Sequence, residues 1–335
     1  MRVLVVDDSA FMRKVISDML NSDPELTVVG TARDGLDALE QVEKLHPDAI
    51  TLDVTMPRMD GLTALKRIMD EHPVPVVMVS SFTREGADVT LKALEYGAFD
   101  YVLKPSGAVS RDFHKVKEEL IAKIKSAKEA RLLKQNLPPV LSSEKATDFS
   151  DKVILIGAST GGPPAIEHVL LGLPENIPAI LIVQHMPPSF TKFFAERLSG
   201  ICKFNVKEAE ENDPILRNQA LIAPGGWHMT VGSDDRVHLN QNPQLHGVRP
   251  AVDPMMQTAA NVYSSETLGV LLTGMGQDGA QGLRAIKQSG GFTIAQDEST
   301  STIFGMPKSA IELNCVDKVL PLPLIAQEIV RKCQK

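Results

Sequence analysis

The chain is 335 residues long, 43% hydrophobic and 23% charged, with a formal net charge of −7. These are ordinary globular values that exclude a largely disordered or fibrous chain, and the acidic balance argues against bulk affinity for nucleic acid, which needs a concentrated basic face. The length exceeds what one hydrophobic core usually supports, so two domains are expected.

From the N-terminus, Val3 to Val6, Val28 to Ala32, Ala49 to Leu52, Val74 to Ser80 and Tyr101 to Leu103 read as strands separated by amphipathic helical segments. Strands this apolar are expected to be buried on both faces, which implies a parallel sheet flanked by helices. A long helix is expected from near Asp112 to Asn136-Leu137-Pro138-Pro139. Its basic residues from Lys115 to Lys134 alternate with glutamates and read as a solvated face. The polar stretch Ser142 to Asp151 reads as linker, giving expected units at 1–134 and 152–335 joined by 135–151.

The second half repeats the alternation with strands at Val153 to Ile156, Ala179 to Val183 and Gly269 to Leu272. Ala220 to Ala223 and Arg236 to Leu239, with the Pro224-Gly225-Gly226 turn between them, read as shorter strands of a hairpin. The expected fold is therefore a doubly wound (βα)5 domain followed by a parallel α/β domain carrying an antiparallel hairpin. Cys202, Cys315 and Cys333 lack Cys-x-x-Cys spacing, so neither a disulfide framework nor a zinc site is expected, in keeping with a reducing compartment. Asp7 and Asp8 fall too early for a signal peptide, and no apolar run approaches the about 20 residues of a membrane helix. A cytoplasmic protein without membrane insertion is expected.

Two patterns carry chemistry. Asp7 and Asp8 end the first strand and Asp53 the third, and carboxyl ends of parallel strands converge where the strand order reverses. Three carboxylates gathered there repel one another unless a divalent cation intervenes, and hard oxygen ligands favour Mg²⁺. Ser80 and Lys104 end the fourth and fifth strands, where a hydroxyl and a cation can bind the oxygens of a phosphoryl group on Asp53. Any single Asp here could instead cap a helix, but the full set at successive strand ends favours the phosphoryl reading. The first half resembles the receiver domain of two-component response regulators. That resemblance implies Asp53 as phosphoacceptor, Mg²⁺ held by Asp7 or Asp8 with the Thr55 carbonyl, a switch at Ser80 and Lys104 with Tyr101 as its aromatic member, and a cis Lys104-Pro105 peptide.

The second pattern is Gly157-Ala158-Ser159-Thr160-Gly161-Gly162 directly after an apolar strand. A serine between glycines on a strand-to-helix turn is exposed beneath a helix N-terminus, which suits a nucleophile and also a dinucleotide pyrophosphate. The next strand ends in Gln184-His185 without the acid a ribose needs, no Tyr-x-x-x-Lys pair exists, and Pro163-Pro164 replace small residues, all against the dinucleotide. His185 stands where a general base is needed, and Asp278, in the Gly-rich loop after the strand ending near Leu272, can orient it. His228 is the rival base; Asp253, followed by Pro254, is either a helix N-cap or a direct participant.

These segments, with Val-Gln-His-Met-Pro, Ile-Ala-Pro-Gly, Val248 to Pro254 and Leu-Thr-Gly-Met-Gly-x-Asp-Gly, resemble the chemotaxis response-regulator protein-glutamate methylesterases, the CheB family, over essentially the whole chain. The resemblance implies Ser159 as nucleophile, His185 as base, Asp278 as its partner, the Met275 backbone N–H as oxyanion donor, and Thr160 and His228 at the cleft. It further implies hydrolysis of γ-methyl glutamyl esters and deamidation of glutamines on chemoreceptors, a chemotaxis histidine kinase as phosphodonor, and a receiver that occludes the cleft until phosphorylated.

Overall fold

The computed structural model describes residues 1–81, 83–104, 111–128 and 149–335. The chain divides into two compact units, Met1–Asn136 and Leu137–Lys335. Unit one has strands β1 (Arg2–Val6), β2 (Thr27–Ala32), β3 (Ala49–Asp53), β4 (Val76–Ser80) and β5 (Asp100–Leu103) in the order β2-β1-β3-β4-β5, every pair parallel. Helices α1 (Ala10–Asn21), α2 (Gly35–Leu45), α3 (Gly61–Glu71) and α4 (Arg84–Glu95) make the crossovers, and α5 (Arg111–Ser126) follows β5. Ser9, Asp34, Asp60 and Thr83 start the first four by accepting a first-turn N–H, which satisfies donors the helix itself leaves orphaned. Central β3 and β4 are buried throughout, as their apolar sequences require. β2 departs from that expectation: as an edge strand it buries only Ala32 fully.

Unit two is built on seven parallel strands in the order β14-β13-β12-β6-β7-β9-β8. They are β6 (Val153–Ala158), β7 (Ala179–Gln184), β8 (Asn205–Glu208), β9 (Gln219–Ile222), β12 (Thr267–Leu271), β13 (Phe292–Gln296) and β14 (Lys318–Leu320). Between them run α6 (Gly162–Leu171), α7 (Phe190–Ile201), α8 (Val252–Tyr263), α9 (Ala280–Gln288) and α10 (Met306–Glu312), and α11 (Leu322–Cys333) follows β14. One face of the sheet and α8, α9 and α10 share a core that includes Leu155, Leu181, Leu271, Met255, Met256, Leu283 and Met306.

The hairpin exists, but with a different partner from the one expected. β11 (Val237–Asn240) pairs antiparallel with β10 (His228–Val231), while the 219–222 segment joins the main sheet parallel to β7. The Pro224-Gly225-Gly226 turn thus carries the chain out of the main sheet into the hairpin. Phe149, in the stretch expected as linker, is fully buried and bridges Gln334, with the Ser150 N–H donating to the Cys333 carbonyl at 2.8 Å. The rest of that linker before 149, the far end of the long helix and the Lys104-Pro105 peptide fall outside the described residues.

Candidate active site and phosphoacceptor pocket

In unit one the strand order reverses between β1 and β3, which puts their carboxyl ends side by side at the place where such sheets bind ligands. Asp7 and Asp53 are both buried there, and donor oxygens of Asp7, exposed Asp8 and Asp53 all lie within 4.8 Å of one another. Lys104 Nζ stands 2.8 Å from Asp7 Oδ2 and 2.8 Å from Asp53 Oδ2. Burial drives the Asp53 carboxyl above its ordinary range, and Asp7 adds to this; Lys104 opposes without prevailing. The same contacts hold the Lys104 ammonium protonated against its own burial. The two shifts are consistent because one cation is divided between two carboxylates.

Three hard oxygen donors converging at this spacing fit a Mg²⁺ ion, with Thr55 in the exposed loop after β3. Ser80 is buried and its hydroxyl donates to the Gly86 carbonyl in α4 at 3.2 Å. That single proton must leave Gly86 to serve a phosphoryl oxygen. Tyr101 is buried, and Lys123 Nζ donates to its carbonyl at 2.6 Å while lying 5.1 Å from its ring centroid. Burial first, then Asp100 and Glu119, push the Tyr101 hydroxyl well above its usual range, which keeps it neutral.

In unit two the order reverses between β6 and β12, and β7 flanks β6 on its other side. Ser159 follows β6, His185 follows β7 and Asp278 lies on the loop after β12, so three adjacent strand ends present them. The Ser159 N–H donates to the Thr273 carbonyl at 3.0 Å, tying the serine to the β12 loop. Gly274 lets these backbones approach: a Cβ there would sit 2.8 Å from Ser159 Cβ and 2.2 Å from Met306 Sδ. The Thr273 hydroxyl donates to the Thr160 carbonyl at 3.0 Å and accepts from the Ile303 N–H at 2.9 Å. The first turn of α6 contains Pro163 and Pro164, which carry no N–H, so this helix end is a poor phosphate cradle.

His185 Nε2 and Asp278 Oδ2 are 2.7 Å apart. Asp278 is 1% exposed. Oδ2 also accepts from the Val252 N–H at 2.6 Å, and Oδ1 accepts from the N–H groups of Asp253 and Gly279, each at 3.0 Å. Burial alone would raise this carboxyl, but His185 and the backbone donors outweigh it and hold it below its ordinary range. An ionised Asp278 can only accept, so the proton in the pair is on His185 Nε2, and Nδ1 is the nitrogen left for the serine. Among the described residues, no hydrogen bond joins the half-buried Ser159 hydroxyl to the imidazole. Such contacts often close only around substrate.

The α8 N-terminus shows what sequence reasoning missed. Its N-cap position is Ala251, which offers no side-chain acceptor, and Asp253 lies inside the first turn. Asp278 caps the helix from a distant segment, while Asp253 accepts from the Gly282 N–H at 2.7 Å and pairs with His246 Nε2 at 3.1 Å. The N-cap reading of Asp253 is thereby corrected. Pro254 signalled a helix start, but nothing local signalled which carboxylate would cap it. His246, Asp253 and Asp278 also bring potential metal donors together. Asp278 already accepts two hydrogen bonds on each oxygen, which leaves no lone pair for an ion.

His228 is 1% exposed at the start of β10, with Nε2 against the Pro243 carbonyl at 3.1 Å and Nδ1 accepting from the Ala251 N–H at 3.2 Å. Both nitrogens are committed to the 243–251 loop. Thr160 is buried beside Ser159, and Met275 is exposed on the loop that carries Asp278. Gly276 and Gly279, at φ of 86° and 85°, permit that loop's turns.

Residues 154–329, over half the chain, match the family model of the CheB methylesterase, and residues 3–111 match that of the response regulator receiver domain. The chain belongs to the CheB methylesterase family. The protein-glutamate methylesterase/protein-glutamine glutaminase of Pyrococcus abyssi is 54% identical over 98% of this chain and 93% of its own. The protein of the same name from Halalkalibacterium halodurans is 47% identical over 100% and 99%. Among solved structures, the CheB methylesterase catalytic domain of Thermotoga maritima is 41% identical, with a TM-score of 0.53, covering 55% of this chain and 99% of that one. The parallel α/β unit that holds Ser159, His185 and Asp278 is thus the methylesterase domain of the family, and the unit that holds Asp53 is its receiver.

Proposed function

We propose that this enzyme hydrolyses γ-methyl glutamyl esters on the cytoplasmic helices of chemoreceptors, and deamidates particular glutamines there, with Ser159 as nucleophile and a rate raised by phosphorylation of Asp53. The observation that carries the reading is the 2.7 Å His185–Asp278 pair beside the Ser159 turn. Ser159 Oγ attacks the side-chain carbonyl carbon as His185 Nδ1 takes its proton, and the tetrahedral oxygen is met by backbone donors including the Met275 N–H. The imidazolium, steadied by Asp278, returns the proton to the departing methoxide or amide nitrogen, releasing methanol or ammonia. Water then resolves the acyl-enzyme by the same base, leaving a glutamate side chain.

In the receiver, Asp53 accepts a phosphoryl group from a histidine kinase. Asp7, Asp8 and Asp53 with the Thr55 carbonyl would hold Mg²⁺, whose contribution when bound is to neutralise phosphoryl oxygens during transfer. The added charge of roughly −1.5 to −2 draws Lys104 and the Ser80 hydroxyl to new partners and biases the enzyme toward its active state. No nucleic acid is required. Among the described residues, no helix is long and apolar enough to cross a membrane.

The test is methanol release from methylated receptor, with and without a small-molecule phosphodonor, together with fluorophosphonate labelling. Ser159→Ala is expected to lose nearly all turnover and all labelling. Wild-type hydrolysis by that variant would overturn the assignment.

A further inference from the structure

The last backbone rung between β6 and β7 runs from the His185 N–H to the Ala158 carbonyl at 3.2 Å. Ser159 and the His185 side chain therefore lie at and beyond the end of the ladder, on separate loops, where backbone pairing no longer sets their separation. Gln184, 2% exposed, stands at this point. Its Nε2 donates to the Ser159 carbonyl at 3.0 Å and to the His185 carbonyl at 3.1 Å. Its Oε1 faces Gly162, where a Cβ would lie 2.0 Å away. The amide has one sensible orientation, because the reverse would point an acceptor at two carbonyl oxygens.

A matching arrangement occurs three strands away, across β6 and β12. Gln296, which ends β13, accepts from the Thr273 N–H at 2.8 Å and donates to the Thr300 carbonyl at 2.7 Å. With the Thr273 contacts to Ser159 and Thr160, four neighbouring strand ends are stitched together by buried polar groups just beneath the catalytic loops.

We propose that Gln184 is a positioning residue for the ester hydrolysis, its side-chain amide forming an extra rung that fixes the nucleophile's loop against the base's loop. The proposal rests on Ser159 and His185 being the reacting pair. Gln184 does not reach the substrate in this role; it sets the separation of two groups that do. Such a rung acts on the step in which Ser159 transfers its proton to His185, so its loss lowers kcat more than it raises KM.

The test uses the full-length protein and steady-state methanol release from methylated receptor. Gln184→Met keeps the side-chain volume and removes both donors; kcat is expected to fall on the order of 10- to 100-fold with KM within about twofold. Gln184→Asn keeps an amide one methylene shorter, which cannot span both carbonyl oxygens, so it should lower kcat as well, by less than Gln184→Met. Rates are referred to the folded fraction measured by circular dichroism, so that a loss of fold does not count as a loss of kcat. If Gln184→Met fails to fold, Gln184→Asn alone decides. Wild-type kcat per folded enzyme in Gln184→Met, or in Gln184→Asn where that variant decides, or a change in KM alone would each overturn the proposal, provided Ser159→Ala is inactive. An active Ser159→Ala would instead overturn the assignment of the nucleophile.

Discussion

Both units gather buried carboxylates at a reversal of strand order, yet they neutralise them by different means. In the receiver, Asp7 and Asp53 share the ammonium of Lys104, the tip of a long side chain, and Ser80 is occupied with Gly86. In the esterase, Asp278 is held by three backbone N–H groups and one histidine. A side-chain cation can be drawn away by a new anion, whereas backbone donors at a helix N-terminus cannot move without unwinding the helix. The first arrangement suits a site whose chemistry is a change of charge, the second a site whose geometry must survive each turnover.

The largest effect that sharpens this contrast is expected at Asp278. Asp278→Asn keeps the volume but no longer fixes the His185 tautomer, so kcat in methanol release should fall on the order of 10⁴-fold. A loss of less than about tenfold would mean the backbone donors, and not the imidazole, are what the carboxylate serves. Asp53→Asn should instead remove the response to a phosphodonor altogether, measured as the ratio of rates with and without it. Lys104→Met should leave phosphorylation of Asp53 detectable by a Phos-tag gel while reducing that ratio several-fold, because the cation that follows the phosphoryl group is gone. An undiminished ratio would place the switch elsewhere.

Sequence is informative here where a residue's role is set by what it adjoins. Asp7, Asp53, Ser159 and His185 each end an apolar run, and the strand end alone puts them at a crevice. It falls short where the partner lies far along the chain. Nothing near Val252 announces that Asp278 caps α8, and nothing near Gln184 announces that its amide joins two loops. The first strand of the hairpin is misread for the same reason: Pro224-Gly225-Gly226 marks a turn but does not say that Ala220 pairs with Ile180 in the main sheet. Two short edge strands escape for local reasons: β8 has the largely polar sequence Asn-Val-Lys-Glu, and β14, Lys-Val-Leu, is only three residues long, too short to show a pattern before the sheet exists.

The smallest expected effect concerns stability, and it separates the two sites by sign. Asp278 has a folded-state affinity for protons below that of the unfolded chain, so it stabilises the fold above about pH 4 and loses that contribution as pH falls through its lowered value. Asp53 has the opposite shift, because burial and the neighbouring Asp7 outweigh its share of Lys104. As pH rises above about 4, the unfolded chain sheds the Asp53 proton more readily than the native one, and the native state loses stability until its raised value is passed. Asp53→Asn should therefore raise the stability of the receiver at neutral pH, and the gain should vanish below about pH 4. Asp278→Asn should lower the stability of the esterase by about 1–3 kcal/mol at neutral pH, since it replaces an acceptor that four donors require. Urea unfolding of the two variants at pH 7 and pH 4 reads both signs. A stabilised Asp278→Asn, or an Asp53→Asn that is destabilised at pH 7, would show that the movable cation and the fixed donors do not divide the two sites as their geometry indicates.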